Sequence, residues 1–264
     1  MGVDVATHFV TYETVGDIAH IGLHRPEKRN AISDRFVEAI ADAVARAEGE
    51  AKAAVLYGHG DHFCAGLDLA EHVKKTAIEG VRGSRRWHAV FAGIEHGTIP
   101  WFSALHGAVV GGGLELAAST HVRVADETAF FALPEGQRGI FVGGGGSVRV
   151  ARLAGVARMT DMMLTGRVAS AAEAERWNLV QYVVPAGEAR KKAHELALIA
   201  ASNASLSNYA VINALPRIQD MAKEDGLFVE SFISSFTATS PEAEARLQAF
   251  LDKRAARLKA PGAN

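Results

Sequence analysis

Glu115 stands three residues past Gly112, in a segment where three consecutive glycines, 111–113, are followed by Leu-Glu-Leu-Ala-Ala. A glycine turn that opens a helix presents unpaired backbone N–H groups, an anion site made of main chain alone. On a helix, a three-residue offset returns Glu115 to the face that carries Gly112, about one turn further in. An oxyanion donor and a possible acid or base then share one wall. An acid among Leu114, Leu116, Ala117 and Ala118 is expensive to bury without a task or partner, which argues for Glu115 as a working group.

Two further segments offer matching chemistry. Phe63-Cys64-Ala65-Gly66-Leu67-Asp68 reads as a turn at a strand-to-helix junction, where the N–H of Leu67 can point into a site. Leu133-Pro134-Glu135-Gly136 sets a second carboxylate at the end of an apolar strand. Convergent amides at Leu67 and Gly112 would hold a carbonyl oxygen as charge moves onto it. Glu115 and Glu135 would orient water and deliver a proton.

Each feature has a plainer rival. The triple glycine could serve close packing of helix on sheet, and Glu135 could be a surface turn residue. Asp68, in an Asp-x-x-Glu pattern with Glu71, is expected to cap a helix rather than do chemistry. His59, Asp61 and His62 sit in a glycine-rich stretch expected to be a solvated loop, a poor metal cage, so no metal is expected. Cys64 lacks an evident base and reads as a small buried side chain. The run Gly143 to Gly146 is not followed by Gly-Lys-Ser/Thr, and Gly-x-Ser-x-Gly is absent, so nucleotide hydrolysis and serine esterase chemistry are disfavoured.

The elements that must position these groups follow from periodicity. Alternating segments at 9–14 and 18–23 read as a hairpin, and Ser33 is placed to cap a helix to about Arg46 with Phe36, Val37, Ile40 and Val44 on one face. A buried strand is expected at 53–57, and another at 101–105 that enters the glycine turn directly. Strands follow near 122–124 and 129–133, with a last one at 181–184. The rhythm is that of a parallel-sheet α/β core. From about Ala201 the pattern is helix after helix, ending with a Lys/Arg-studded helix to about Leu258. An α/β core over 1–200 and a helical region over 201–264 are expected, the latter packing on its own core or a neighbouring subunit.

With 264 residues the chain can bury a core without staples, and its single cysteine points to a reducing compartment. A net charge of −2 without like-charge runs gives no field for nucleic acid. The N-terminal residues carry no targeting signal, and no apolar stretch is long enough for a bilayer, so a cytoplasmic protein without membrane partners is expected.

The motifs at 63–69, 106–116 and 133–135, with the glycine run at 143–146, occur in one order and together resemble the crotonase superfamily, the enoyl-CoA hydratase/isomerase group. The resemblance runs from Arg-Pro-Glu-Lys-Arg-Asn-Ala at 25–31 to the C-terminal helices. It implies an α/β fold with a crotonase-type ββα spiral core and a C-terminal helical trimerisation region. It places the oxyanion hole on the N–H groups of Leu67 and Gly112, and the two hydratase glutamates on Glu115 and Glu135. It further implies that the Ala65 carbonyl faces the CoA adenine and that cations of the 25–29 loop, here Lys28 and Arg29, lie near the CoA phosphates. The substrate would be an acyl-CoA thioester, with no separate cofactor because coenzyme A is part of the substrate. Homotrimers, often paired into hexamers, would carry C-terminal helices that help roof the active sites.

The implied reaction is addition of water to a 2-enoyl-CoA, with Glu135 as the preferred proton donor to the α-carbon. An isomerase moving the double bond between positions 3 and 2 would use one glutamate, and a CoA-thioester-binding scaffold would use neither. The acyl pocket is expected between 72 and 91 and between 136 and 142, with Trp87, His88 and Phe141 as its large side chains. No tyrosine occurs between Tyr57 and Tyr182, which disfavours a 4-hydroxyaryl acyl group.

Overall fold

The computed structural model describes residues 9–72 and 75–252. It divides into two units, Met1–Ser202 and Asn203–Asn264. The first unit holds strands β1 (Val10–Val15), β2 (Ile18–Leu23), β3 (Ala53–Gly58), β4 (Trp101–Leu105), β5 (Ala108–Val110), β6 (Val122–Asp126), β7 (Phe130–Ala132), β8 (Ala169–Ser170) and β9 (Tyr182–Val184). Its helices are α1 (Asp34–Glu50), α2 (Leu69–His72), α3 (Ala77–Glu95), α4 (Gly112–Ala117), α5 (Gly146–Ala154), α6 (Val156–Thr165), α7 (Ala171–Arg176) and α8 (Ala189–Ala201).

The main sheet runs β1-β2-β3-β4-β6-β9, and the second β5-β7-β8. β1 and β2 pair antiparallel through the two-residue turn Gly16-Asp17, where Gly16 takes a φ of +61°. From β2 to β9 every pairing in the main sheet is parallel. Such strands are buried on both faces, and β3 shows why its residues are all apolar or small. Ala54 and Leu56 join a core with Ile40 and Val44 of α1 and Ile94 of α3, while Ala53, Val55 and Tyr57 join Ala189, Ala193 and Ala197 of α8.

Ser33 caps α1 by accepting a hydrogen bond from Phe36 N at 3.2 Å. The helix continues past the expected Arg46 to Glu50, because Ala43, Val44 and Ala47 extend the buried stripe and Arg46 pairs with Glu50 at 3.0 Å. The strand at 101–105 does not enter the glycine turn. His106 and Gly107, the latter at φ +53°, carry the chain out of the main sheet into β5, which pairs with β7 in the second sheet. It is β5 that ends in the glycine turn and leads to α4.

Asn30 ties the segment after β3 in place. It is fully buried at φ +55°, and its Nδ2 donates to the carbonyls of His59 (2.9 Å), His62 (2.8 Å) and Phe63 (3.1 Å). Its Oδ1 accepts from Arg25 N at 2.8 Å. Asn30→Ala strands these buried groups and puts alanine in the left-handed region, so a loss of about 2–3 kcal/mol in urea unfolding is expected. A loss below about 0.5 kcal/mol would contradict this role.

The second unit contains α9 (Ser205–Ile218), α10 (Lys223–Ala238) and α11 (Pro241–Leu251). Ser240 caps α11 through Ala243 N at 3.2 Å, and Glu242 accepts from Ser205 N at 2.9 Å. The expected extension to Leu258 lies outside the described residues. Phe228, Phe232 and Phe236, spaced four apart on α10, are exposed. Among the described residues no helix is long and apolar enough to cross a membrane.

Candidate active site

Two short parallel bridges fix the backbone at the site. Cys64 pairs with Val109, and Ile32 pairs with Leu67. In the second, Ile32 N donates to Gly66 O (2.7 Å) and Asp68 N donates to Ile32 O (2.9 Å). The flanking peptide groups are thereby used, and a parallel bridge of this pattern leaves the N–H of Leu67 on the opposite side. That side is where α4 begins. A Cβ built on Gly112 would lie 3.6 Å from Leu67 N, and one on Gly66 would lie 3.2 Å from Gly112 N. Gly112 is the first residue of α4, so its N–H has no partner within the helix.

Each glycine of the turn is required for a different reason. Gly111 takes φ +53° and ψ −122°, a conformation essentially confined to glycine, and a Cβ there would lie 2.6 Å from Glu135 Oε1. A Cβ on Gly112 would meet Trp87 Cζ3 at 2.7 Å, and one on Gly113 would collide with the Cys64 carbonyl. The rival packing role is therefore real at Gly113, and it is also what seats α4 against the Leu67 segment.

Glu115 is 3% exposed. Its Oε1 accepts two main-chain hydrogen bonds, from Gly144 N and Gly146 N, both at 2.8 Å. Burial raises its carboxyl above the ordinary range, while N–H groups of Gly146, Gly144 and Gly143 pull the other way. The 143–146 run is the cradle of this carboxylate: a Cβ on Gly146 would lie 2.9 Å from Glu115 Cγ. Arg149 braces it, donating to Gly144 O at 3.0 Å and to Glu95 at 2.7 Å. Read from the sequence alone, these glycines show no task of their own. The signal lies in their place, since they open α5 as 111–113 open α4.

Glu135 is 7% exposed, at the start of a 3₁₀ turn, Gly136–Arg138. Its Oε2 is buried without a hydrogen-bond partner. Burial pushes its carboxyl up to about 7, with the neighbouring Glu115 adding to the rise. A raised folded-state value means that the folded protein binds this proton more tightly than the unfolded one. Stability is accordingly lost as pH rises from 4.5 to about 7, and the loss is complete above that. Glu135→Gln is expected to flatten this slope and raise stability at pH 8 by up to about 3 kcal/mol. Parallel slopes for the two proteins in urea titrations would contradict it.

Leu67, Gly112, Glu115 and Glu135 meet at one cavity of about 480 Å³. Trp87 and Phe141 line it too, Trp87 buried and Phe141 68% exposed at the rim. His88 is not among the lining residues, a correction to the expected pocket. One position past Trp87 on α3 it is rotated by about 100°, toward Ser84 Oγ at 3.4 Å and Arg149.

The residues expected at coenzyme A lie outside the cavity lining. Arg29 is exposed in the left-handed conformation, and its carbonyl accepts from Ala65 N at 2.9 Å. Lys28 Nζ pairs with Asp68 at 3.1 Å, beside Arg25 at 2.9 Å. Asp68 still caps α2, accepting from Ala70 N at 3.2 Å, so it joins the loop cations to that helix. The stretch at 59–62 is the expected loop, with Gly60 and Asp61 exposed, and only its histidines depart from a solvated reading. His59 and His62 are half-buried, His59 bonding Thr11 at 2.8 Å and His62 Nδ1 accepting from Ala108 N at 3.1 Å. No group of three metal-ligating side chains occurs among the described residues. Cys64 is fully buried, which pushes its thiol up to about 12.

Chemically, the arrangement offers two amides for one oxygen and two carboxyls of different environment beside it. The enoyl-CoA hydratase/isomerase family model matches residues 13–261. Enoyl-CoA hydratase EchA19 of Mycobacterium tuberculosis is 31% identical over 249 residues, spanning 92% of this chain and 93% of that protein. A solved structure from Rhodopseudomonas palustris, named for an expected enoyl-CoA hydratase, is 49% identical with a TM-score of 0.91, covering 93% of this chain and 95% of that one. The enoyl-CoA hydratase structure from Bacillus anthracis is 28% identical with a TM-score of 0.87, covering 93% and 97%.

Proposed function

The chain belongs to the enoyl-CoA hydratase/isomerase family, and on that premise we propose that it adds water across the 2,3 double bond of a 2-enoyl-CoA. The thioester oxygen sits between the N–H groups of Leu67 and Gly112. Negative charge that develops there in the transition state is met by donors already in position. The β-carbon becomes electrophilic, and water held by the two glutamates adds to it.

The observation that carries this reading is the unequal pair of buried carboxyls. Glu115 receives two N–H bonds on one oxygen, which offset part of the rise that burial causes and stabilise its ionised form in a way Glu135 lacks, so it takes the proton of the attacking water. Glu135 has a buried oxygen with no donor, which favours its neutral form, so it delivers a proton to the α-carbon. The reaction needs no cofactor, coenzyme A being part of the substrate. The CoA moiety is assigned to the Ala65 carbonyl and to Lys28 and Arg29. Glu115 is held by main-chain amides rather than by an ion pair, which speaks against a scaffold without turnover. The exposed Phe228, Phe232 and Phe236 suit a homotrimer or a dimer of trimers.

Loss of the enoyl-thioester absorbance of crotonyl-CoA tests the activity. Its kcat/KM is expected to fall as pH rises through about 7, where Glu135 gives up its proton. A profile still rising at pH 9, or no turnover of crotonyl-CoA or a cinnamoyl-type CoA, would overturn the assignment.

A further inference from the structure

Along α3 the cavity lining includes Gly80, Gly83, Ser84 and Trp87 beside Val81 and Arg85. Their neighbours order them in space. Trp87 lies against Gly112 and Gly144, at the level of the carboxylates, and Ser84 Oγ donates to Gly143 O at 2.6 Å. A Cβ on Gly83 would meet only Lys75 Nζ, at 3.8 Å, and one on Gly80 would meet nothing within 4 Å. The cavity thus climbs from the carboxylates toward the start of α3, a path of about 10 Å at the helical rise.

Glycine inside a helix weakens it. At Gly112, Gly144 and Gly146 close neighbours require glycine, but at Gly80 and Gly83 neither a positive φ nor a tight contact does. What these two leave is empty volume, walled by Val81, Ile140, Phe141 and Val142, with the exposed Arg85 also on its lining. At its inner end the buried Glu135 Oε2 is without a partner, which marks the space as a ligand's. Lys75, at the outer end, pairs with Asp34 at 2.7 Å, a carboxylate that Arg86 also meets at 3.1 Å.

We propose that the acyl chain lies along α3 over Gly83 and Gly80, and that these glycines extend the enzyme's reach to long apolar acyl groups. This inference rests on the hydratase reading above. A side chain at either position would shorten the path without touching the carboxylates.

The test compares kcat/KM for 2-decenoyl-CoA and crotonyl-CoA in the wild type, Gly83→Leu and Gly80→Leu. The wild type is expected to accept both, and each variant to lower the decenoyl-to-crotonyl ratio about 30-fold. Gly80→Leu enters open space and keeps the test valid should Gly83→Leu fold poorly. Dissociation constants for decanoyl-CoA and butyryl-CoA, which cannot be hydrated, give a readout independent of turnover. Selective loss of decanoyl affinity in the variants supports the path even if hydration fails. Ratios unmoved in both variants, or exclusion of the long chain by the wild type, would overturn it.

Discussion

Glu115→Gln is expected to lower kcat for crotonyl-CoA hydration by about 10³-fold, with KM little changed. Glutamine keeps an Oε1 that can accept from Gly144 N and Gly146 N, so the cradle survives. What it removes is the charge and the ability to take a proton from water. The split between kcat and KM is the diagnostic, because a structural fault would weaken both. Activity within 10-fold of the wild type would show that Glu115 is a buried structural acid.

Gly112→Ala is the second large effect. The added methyl would lie 2.7 Å from a Trp87 ring carbon, so ring or turn must shift, and the turn carries the N–H of Gly112. Losing one such donor costs about 10²- to 10³-fold in kcat. Trp87→Leu in the same chain removes the colliding ring atoms and is expected to restore part of the rate. No effect of Gly112→Ala on kcat would place the oxyanion elsewhere.

Local chemistry was legible wherever a short segment settles its own geometry. The cap at Ser33, the turn at Gly16 and the helix opening at Gly112 are local matters, and the structure has them. Glu115 stood out because an acid is rare in so apolar a segment. What could not be read depends on separations no spacing rule spans. The amides of Gly144 and Gly146 reach Glu115 from 29 and 31 residues away. Asn30 pins a loop about thirty residues downstream through a left-handed conformation, where its own segment suggests only a charged loop. β5 leaves the main sheet although its apolar residues look like a continuation of β4, because burial alone does not say in which sheet a strand is buried. His88 fails as a pocket residue for a similar reason: its neighbour Trp87 takes the inward face of α3.

Addition of one water to a 2-enoyl-CoA by the two glutamates together is the proposed activity. Its most direct test is turnover of crotonyl-CoA in deuterated water labelled with heavy oxygen, followed by mass analysis of the product. Hydration predicts 3-hydroxybutyryl-CoA with the heavy oxygen at carbon 3 and one deuterium at carbon 2. Deuterium exchange or double-bond migration without oxygen incorporation would contradict the hydratase account and assign the site to an isomerase.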